Sequence, residues 1–376
     1  MDSVCALICE YNPFHDGHKY QIEQLKKQFS HIVCIMSGAT VQRGEFAIAD
    51  KYQRAKAAVA EGADIVVELP YPYSSLGAKD FAAAGVHIAA SLGFFTLAFG
   101  AEDDFETLRQ IALFLSKEET KRNILSLTKS QKNISYPKLR QSIIAEKFGI
   151  EAGNLMTKPN NILAVEYMMP GGDRFNYYVV KRNLSLKPAS FIRSVSHESL
   201  TEWLPEKSAE VYNTINRRDI NKLELAILAK LRTSDIESLC EIYDVTPDLA
   251  QRLLLAAEKA TNIDELLKFA ASKTDTKAKL RRAVLHSFIG GTKTAASELP
   301  LFSNLLAAKS DSLYLLNNKS SEASFTLLSK PAHYKTLPEA AKAQFKLNAK
   351  AEALAALAAM RVEAADEHLR ASPIIM

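Results

Sequence analysis

The chain has 376 residues, more than one ordinary hydrophobic core accommodates, so two or three domains are expected. With 47% hydrophobic and 24% charged residues it has the composition of a soluble globular protein, and a net charge of +4 permits a nucleic-acid partner without requiring one. No apolar run reaches the roughly 18 residues of a membrane span. No signal-peptide pattern opens the sequence, and Cys5, Cys9, Cys34 and Cys240 lack metal-ligand spacing, so a reducing cytoplasm is the expected setting.

The first apolar run, Val4 to Cys9, predicts a buried strand, and His18 to Phe29, with Ile22, Leu25 and Phe29 at helical spacing, predicts a helix. Between them lies Glu10-Tyr11-Asn12-Pro13-Phe14-His15-Asp16-Gly17-His18. The first N–H groups of a helix lack intrahelical partners and sit at the positive end of its dipole, which suits a phosphate. Gly17 permits close approach of the backbone, and the flanking His15 and His18 can aim two imidazole donors at one group of phosphate oxygens. A pair of surface histidines beside a turn is the plainer alternative.

His31 to Met36 predicts a second strand, and the loop Ala39 to Phe46 follows at its carboxyl end, where parallel sheets bind ligands. In that loop Arg43 and Glu45 could hold a substrate or pair with each other. Asp50 caps an expected helix that stops at Gly62. Ala63 to Leu69 is a third strand, Lys79 to Leu92 a helix and Thr96 to Phe99 a fourth strand, with Gly100-Ala101-Glu102-Asp103 at its carboxyl end. Such alternation implies βαβ units and a parallel, Rossmann-like sheet, in an α/β class. From Asp104 to Gly149 the pattern is helical. Lys158-Pro159-Asn160-Asn161-Ile162 opens another helix, Phe175 to Lys181 is the last expected strand of the sheet, and Ala189 to Arg193 starts a further helix. Gly100 suits the nucleoside because a side chain would block approach, and Asn161 because an amide donates and accepts, although an Asn there also caps helices. Arg182 and Arg193 are candidates for phosphate or ribose, with surface ion pairs as the alternative.

Beyond Trp203 glycine and strand-like runs thin out, and apolar residues recur at helical spacing over Leu223 to Leu231, Leu249 to Ala257 and Ile263 to Phe269. The expected division is therefore a nucleotide-binding catalytic domain, 1–203, and a mainly helical domain, 204–376. Phe325 to Leu328 suggests a short strand, and Pro338 to Arg361 a long Ala-rich helix. Lys277, Lys279, Arg281 and Arg282 concentrate positive charge at the start of one helix, as an RNA contact or a solvated face.

The His-x-Gly-His element resembles the signature of the nucleotidyltransferase superfamily, shared with class I aminoacyl-tRNA synthetases. Together with Met36-Ser37-Gly38, Val41-Gln42-Arg43-Gly44-Glu45, Gly62-Ala63-Asp64, Glu68-Leu69-Pro70, Phe99-Gly100-Ala101-Glu102 and Pro159-Asn160-Asn161-Ile162-Leu163, it is similar to the tRNA(Met) cytidine acetate ligase family. The match is close over roughly the first half of the chain and looser afterwards. Asp16 stands where the family usually has Asn, and the loop from Asn183 to Pro188 is shorter than usual. The resemblance implies activation of acetate by ATP to acetyl-adenylate, then transfer of acetyl to N4 of the wobble cytidine of elongator tRNA(Met). It implies His15 and His18 as catalytic residues and ATP contacts along Leu7, Ile8, Cys9, Glu10, Tyr11, Asn12, Pro13, Phe14, His15, Asp16, Gly17, His18, Lys19 and Tyr20, besides Gly100, Asn161, Arg182 and Arg193. ATP is then the substrate nucleotide, Mg2+ a compatible companion, and no residue is assigned to a metal. The rivals are a small-metabolite adenylyltransferase and a non-catalytic nucleotide- and tRNA-binding relative.

Overall fold

The structure is a computed structural model that describes residues 3–131, 133–183, 185–317 and 325–376. The first apolar run forms β1 (Val4–Cys9), followed by α1 (Asp16–Lys26) and β2 (His31–Ser37). The next loop folds as a small hairpin, β3 (Thr40–Val41) with β4 (Glu45–Phe46), before α2 (Lys51–Ala60), which Asp50 caps by accepting from the N–H groups of Tyr52 and Gln53. Then come β5 (Ile65–Leu69), α3 (Ala78–Ser91), β6 (Thr96–Ala101) and, after a run of helices, β7 (Asn176–Lys181).

These five long strands are parallel neighbours in the order β5-β2-β1-β6-β7. All five occur where the sequence predicts them: the four inner strands, covered on both faces, read as apolar runs, and the edge strand β7 by its Tyr and Val residues. Strand order reverses between β2 and β6, on either side of β1. Such a switch point leaves a crevice at the carboxyl ends of the strands, where ligands of open α/β sheets bind. The chain leaving β1 there is the His-x-Gly-His turn.

The C-terminal part departs from the expected division. Residues Glu224–Arg232, Pro247–Lys259, Ile263–Ala270 and Lys277–Ile289 do form helices around a core that includes Ile227, Leu253, Leu266 and Val284. The same core takes in Ala39, Phe46 and Tyr71 from the first half of the chain. After it, β8 (Phe302–Ala308) pairs antiparallel with β5, while β9 (Thr326–Leu328), where a short strand is expected, and β10 (Ile374–Ile375) pair with β8, so the sheet extends into the segment expected to be mainly helical. The apolar run of β8 is fully buried but short, and such a run cannot be told from a buried helical segment by periodicity. The Ala-rich helix spans Glu339–Leu357 and lays Ala351 and Ala355 against the helical core. No helix among the described residues is long and apolar enough to cross a membrane.

Candidate active site

The turn after β1 is held from every side. The carbonyl of Glu10 accepts from Arg54 Nη1 at 2.7 Å, and that of Asn12 from Arg193 Nη1 at 2.9 Å. Asn12 Oδ1 accepts from the Ile48 N–H at 2.8 Å, and Glu10 Oε1 from the Gln42 N–H at 2.7 Å. Tyr11 adopts φ = 44°, a costly region for a bulky residue that persists only where the surroundings enforce it. They do so through Tyr212, whose hydroxyl donates to the Tyr11 carbonyl at 3.4 Å and accepts from the Phe14 N–H at 3.3 Å. Arg54 is fully buried, and its guanidinium also donates to the carbonyls of Ala49 and Gly38, so one side chain ties this turn to the end of β2.

His15 is the N-cap of α1. Its Nδ1 accepts from the Gly17 N–H at 3.0 Å, while the His15 N–H donates to His18 Nδ1 at 3.3 Å. This is a capping box built from two imidazoles. Because both Nδ1 atoms accept, the proton of each neutral ring resides on Nε2, which leaves two N–H donors for a ligand. The rings lie 3.9 Å apart, and His18 packs against Tyr11 and Phe14 at 4.8 and 5.6 Å. A Cβ on Gly17 would fall 2.8 Å from His15 Cε1, so the glycine makes room for the imidazole as well as for a ligand.

Burial, then Arg182 and Arg193, push the His15 imidazole down to about 4, and burial, His15 and the same arginines hold His18 well below the ordinary range. Both rings are therefore neutral donors at pH 7. Such depressed values make stability greatest above the unfolded pKa of about 6.5 and reduce it as pH falls from there towards 4. Urea unfolding should show that loss between pH 6.5 and 5, and His15→Asn, which keeps a capping side chain, should flatten it. An unchanged slope in the variant would show that His15 is not the titrating group.

The structure brings His15, His18, Arg182 and Arg193 into one electrostatic neighbourhood. Arg182 is exposed, with Nη1 3.1 Å from Glu102 Oε1, so it has a surface partner as well as a view of the imidazoles. Gly100 lies inside β6, and a Cβ there would make only ordinary contacts, 3.6 Å to Arg182 and 3.8 Å to Gln21. Protein packing thus does not require glycine at 100. Asn161, expected at the nucleoside, is fully buried: its Oδ1 accepts from the Glu102 N–H at 3.1 Å and its Nδ2 donates to Asp103 at 2.6 Å and to the Leu155 carbonyl at 3.1 Å. It shapes the turn that follows Gly100.

Asp16 is exposed on the first turn of α1. Glu45 pairs with Arg281 rather than with Arg43, which is exposed. Lys277 is exposed, whereas Lys279 pairs with Asp275 at 2.6 Å and Arg282 with Asp244 at 2.6 Å. The basic helix is therefore neither an unpaired cationic face nor remote from the nucleotide half: its backbone at Arg281 and Arg282 packs directly on Gly44. Sequence reasoning missed Arg54, Tyr212 and the adjacent Arg217 and Arg218, none of which belongs to a local motif. Among the described residues no cluster of three or more His, Cys, Asp or Glu could hold a metal ion.

A parallel sheet whose switch point carries a turn with two fixed imidazole donors defines a HIGH nucleotidyltransferase, and the HIGH Nucleotidyl Transferase family matches residues 1–369. The chain is 31% identical over 329 residues to the tRNA(Met) cytidine acetate ligase of Syntrophomonas wolfei, covering 77% of each chain, and 32% identical over 322 residues to that of Streptococcus mutans, covering 78% of this chain and 81% of the relative. It belongs to the tRNA(Met) cytidine acetate ligase family. The crystal structure of Thermotoga maritima TmcAL bound with alpha-thio ATP shares the fold, with a TM-score of 0.91 at 24% identity over 100% of this chain and 99% of that one.

Proposed function

We propose that the protein activates acetate with ATP and transfers the acetyl group to N4 of the wobble cytidine of elongator tRNA(Met). The observation that carries this reading is the imidazole pair, two neutral Nε2–H donors fixed by their own backbone at a helix start. In the first step a carboxylate oxygen of acetate forms a bond to the α-phosphorus, and the bond from that phosphorus to the bridging oxygen breaks as pyrophosphate leaves. His15 and His18 donate to α- and β-phosphate oxygens while charge develops there, and Arg182 and Arg193 supply cationic forks. Gly100 gives the nucleoside room to approach, and Asn161 holds the turn beside it. Mg2+ would enter with the phosphates, needing few protein ligands. In the second step the N4 amine attacks the acetyl carbonyl, AMP leaves with the former anhydride oxygen, and the amine loses a proton.

The family relatives, and a C-terminal half larger than that chemistry requires, favour this reading over adenylyl transfer to a small metabolite. The cytoplasm is the proposed setting. Labelled acetate with ATP and tRNA(Met) transcript should label the RNA without acetyl-coenzyme A. A requirement for acetyl-coenzyme A would overturn the ligase assignment.

A further inference from the structure

Besides the phosphate turn, the molecule has a second cleft, of about 280 Å³, between the hairpin loop at Gly44 to Ile48, Arg193, the segment Arg217 to Asn221 and the helices Ile263–Ala270 and Lys277–Ile289. Of the residues proposed for the nucleotide it shares only Arg193, and it includes none of His15, His18, Gly100 or Arg182. Its charged lining is Arg193, Arg217, Arg218 and Arg281 together with the carboxylates Glu45, Asp219 and Asp264. Two of these have backbone duties beside the turn: Arg193 donates to the Asn12 carbonyl, and Arg217 donates to the carbonyls of Val195 at 2.9 Å and Arg193 at 2.7 Å.

Arg218 is the unusual member. It is only 7% exposed, yet among the described residues its Nε and Nη1 have no hydrogen-bond partner, Nη1 standing 4.0 Å from Glu352, while Nη2 is held by Glu363 at 2.8 Å. Both donors are shut off from solvent, so a ligand reaches them only when the side chain turns towards the cleft, and a buried guanidinium with unpaired donors is costly until one does. Arg281, half-buried, contacts Glu45 from across the cleft and can exchange that partner for a phosphate.

We propose that this cleft holds a phosphodiester of the RNA substrate, with Arg218 and Arg281 as its cationic ligands, next to the turn that would carry the acyl-adenylate. The proposal rests on the reading that the protein acts on tRNA. Single-stranded loop nucleotides are splayed out for such recognition, and the cleft has more room than a phosphate alone requires. Arg193 joins the two sites physically, lining one and bonding the turn of the other.

The test uses tRNA(Met) transcript with the full chain. Asn221 is an exposed residue at the cleft, and Asn221→Trp fills it without removing a charge. This variant and Arg281→Gln should each weaken transcript binding by about tenfold, and Arg281→Gln should lower the logarithmic salt slope by about 0.7. Acetate-dependent pyrophosphate release by Asn221→Trp without RNA should equal the parent's. If both variants bind transcript as the parent does while the parent acetylates it, the cleft assignment falls and the activity stands. If binding depends on the cleft but the parent acetylates nothing, the activity reading falls and the cleft stands. If Asn221→Trp alters inhibition by added inorganic pyrophosphate and leaves RNA binding intact, the cleft serves pyrophosphate and the RNA proposal is overturned.

Discussion

His18→Ala should lose roughly 10²- to 10³-fold in acetate-dependent pyrophosphate release, the usual consequence of removing one aligned donor from developing charge. The substitution also removes the acceptor of the His15 N–H, so α1 loses one side of its capping box and about 1 kcal/mol of stability. A variant that restores the cap separates these effects. His18→Gln at the same helical position can accept from the His15 N–H through its amide oxygen and still present an N–H, though from a different place. It should recover the stability and only part of the rate. Melting curves together with pyrophosphate release, measured for both variants, read the two quantities independently. Full release by His18→Ala would remove the turn from the phosphate site. The pH dependence has a stated direction as well: in the folded protein His15 stays a neutral donor until the pH nears about 4, and His18 is likewise held well below its ordinary range, so the rate owes no limb near neutrality to them, and protonation at lower pH breaks the Nδ1 acceptors that set the ring orientation.

The half of the molecule that carries this turn is legible in sequence because its signals are local. The inner strands of the parallel sheet are mostly apolar runs, α2 opens on the capping residue Asp50, and the two imidazoles flank one glycine. What supports them is not local. Tyr212 reaches the Tyr11 carbonyl from 201 residues away, and Arg54 serves carbonyls in three different loops. A lone Tyr or Arg in a helix has no periodicity that announces such a role. The charge run from Lys277 to Arg282 shows the opposite failure: density along the chain suggests a cationic face, while the fold places Glu45 and Asp244 opposite Arg281 and Arg282, and Asp275, one helical turn before Lys279, pairs with it. Opposite charges brought together by tertiary structure are invisible to local composition.

Lys51→Met should destabilise the protein by about 3–5 kcal/mol, a large share of the 5–15 kcal/mol that holds a typical domain together. Lys51 is 2% exposed; its ammonium lies 2.9 Å from both oxygens of Glu68, itself fully buried, and 2.9 Å from Glu352. Burial alone would depress the lysine, yet Glu352 and Glu68 hold it above its ordinary value, while Lys51 and Arg218 overcome burial to keep the Glu352 carboxyl low. Removing the shared cation leaves two carboxylates in a dry interior, and that penalty exceeds any gain from the better-packing thioether. The effect is also one of connection: Glu68 belongs to β5, Lys51 to α2 and Glu352 to the helix Glu339–Leu357, and Asn348 of the same helix donates to Glu68 at 3.1 Å and accepts from the Tyr71 N–H at 2.8 Å. The cluster thus joins the Ala-rich helix to the sheet that carries the His15–His18 turn. Urea unfolding of Lys51→Met, Glu352→Leu and the double variant forms the decisive cycle. The double variant should be less destabilised than the sum of the singles, because each single strands a partner that the double removes. Additive losses, or a Lys51→Met variant within about 1 kcal/mol of the parent, would mean that packing of the long helix, rather than this charge cluster, joins it to the sheet.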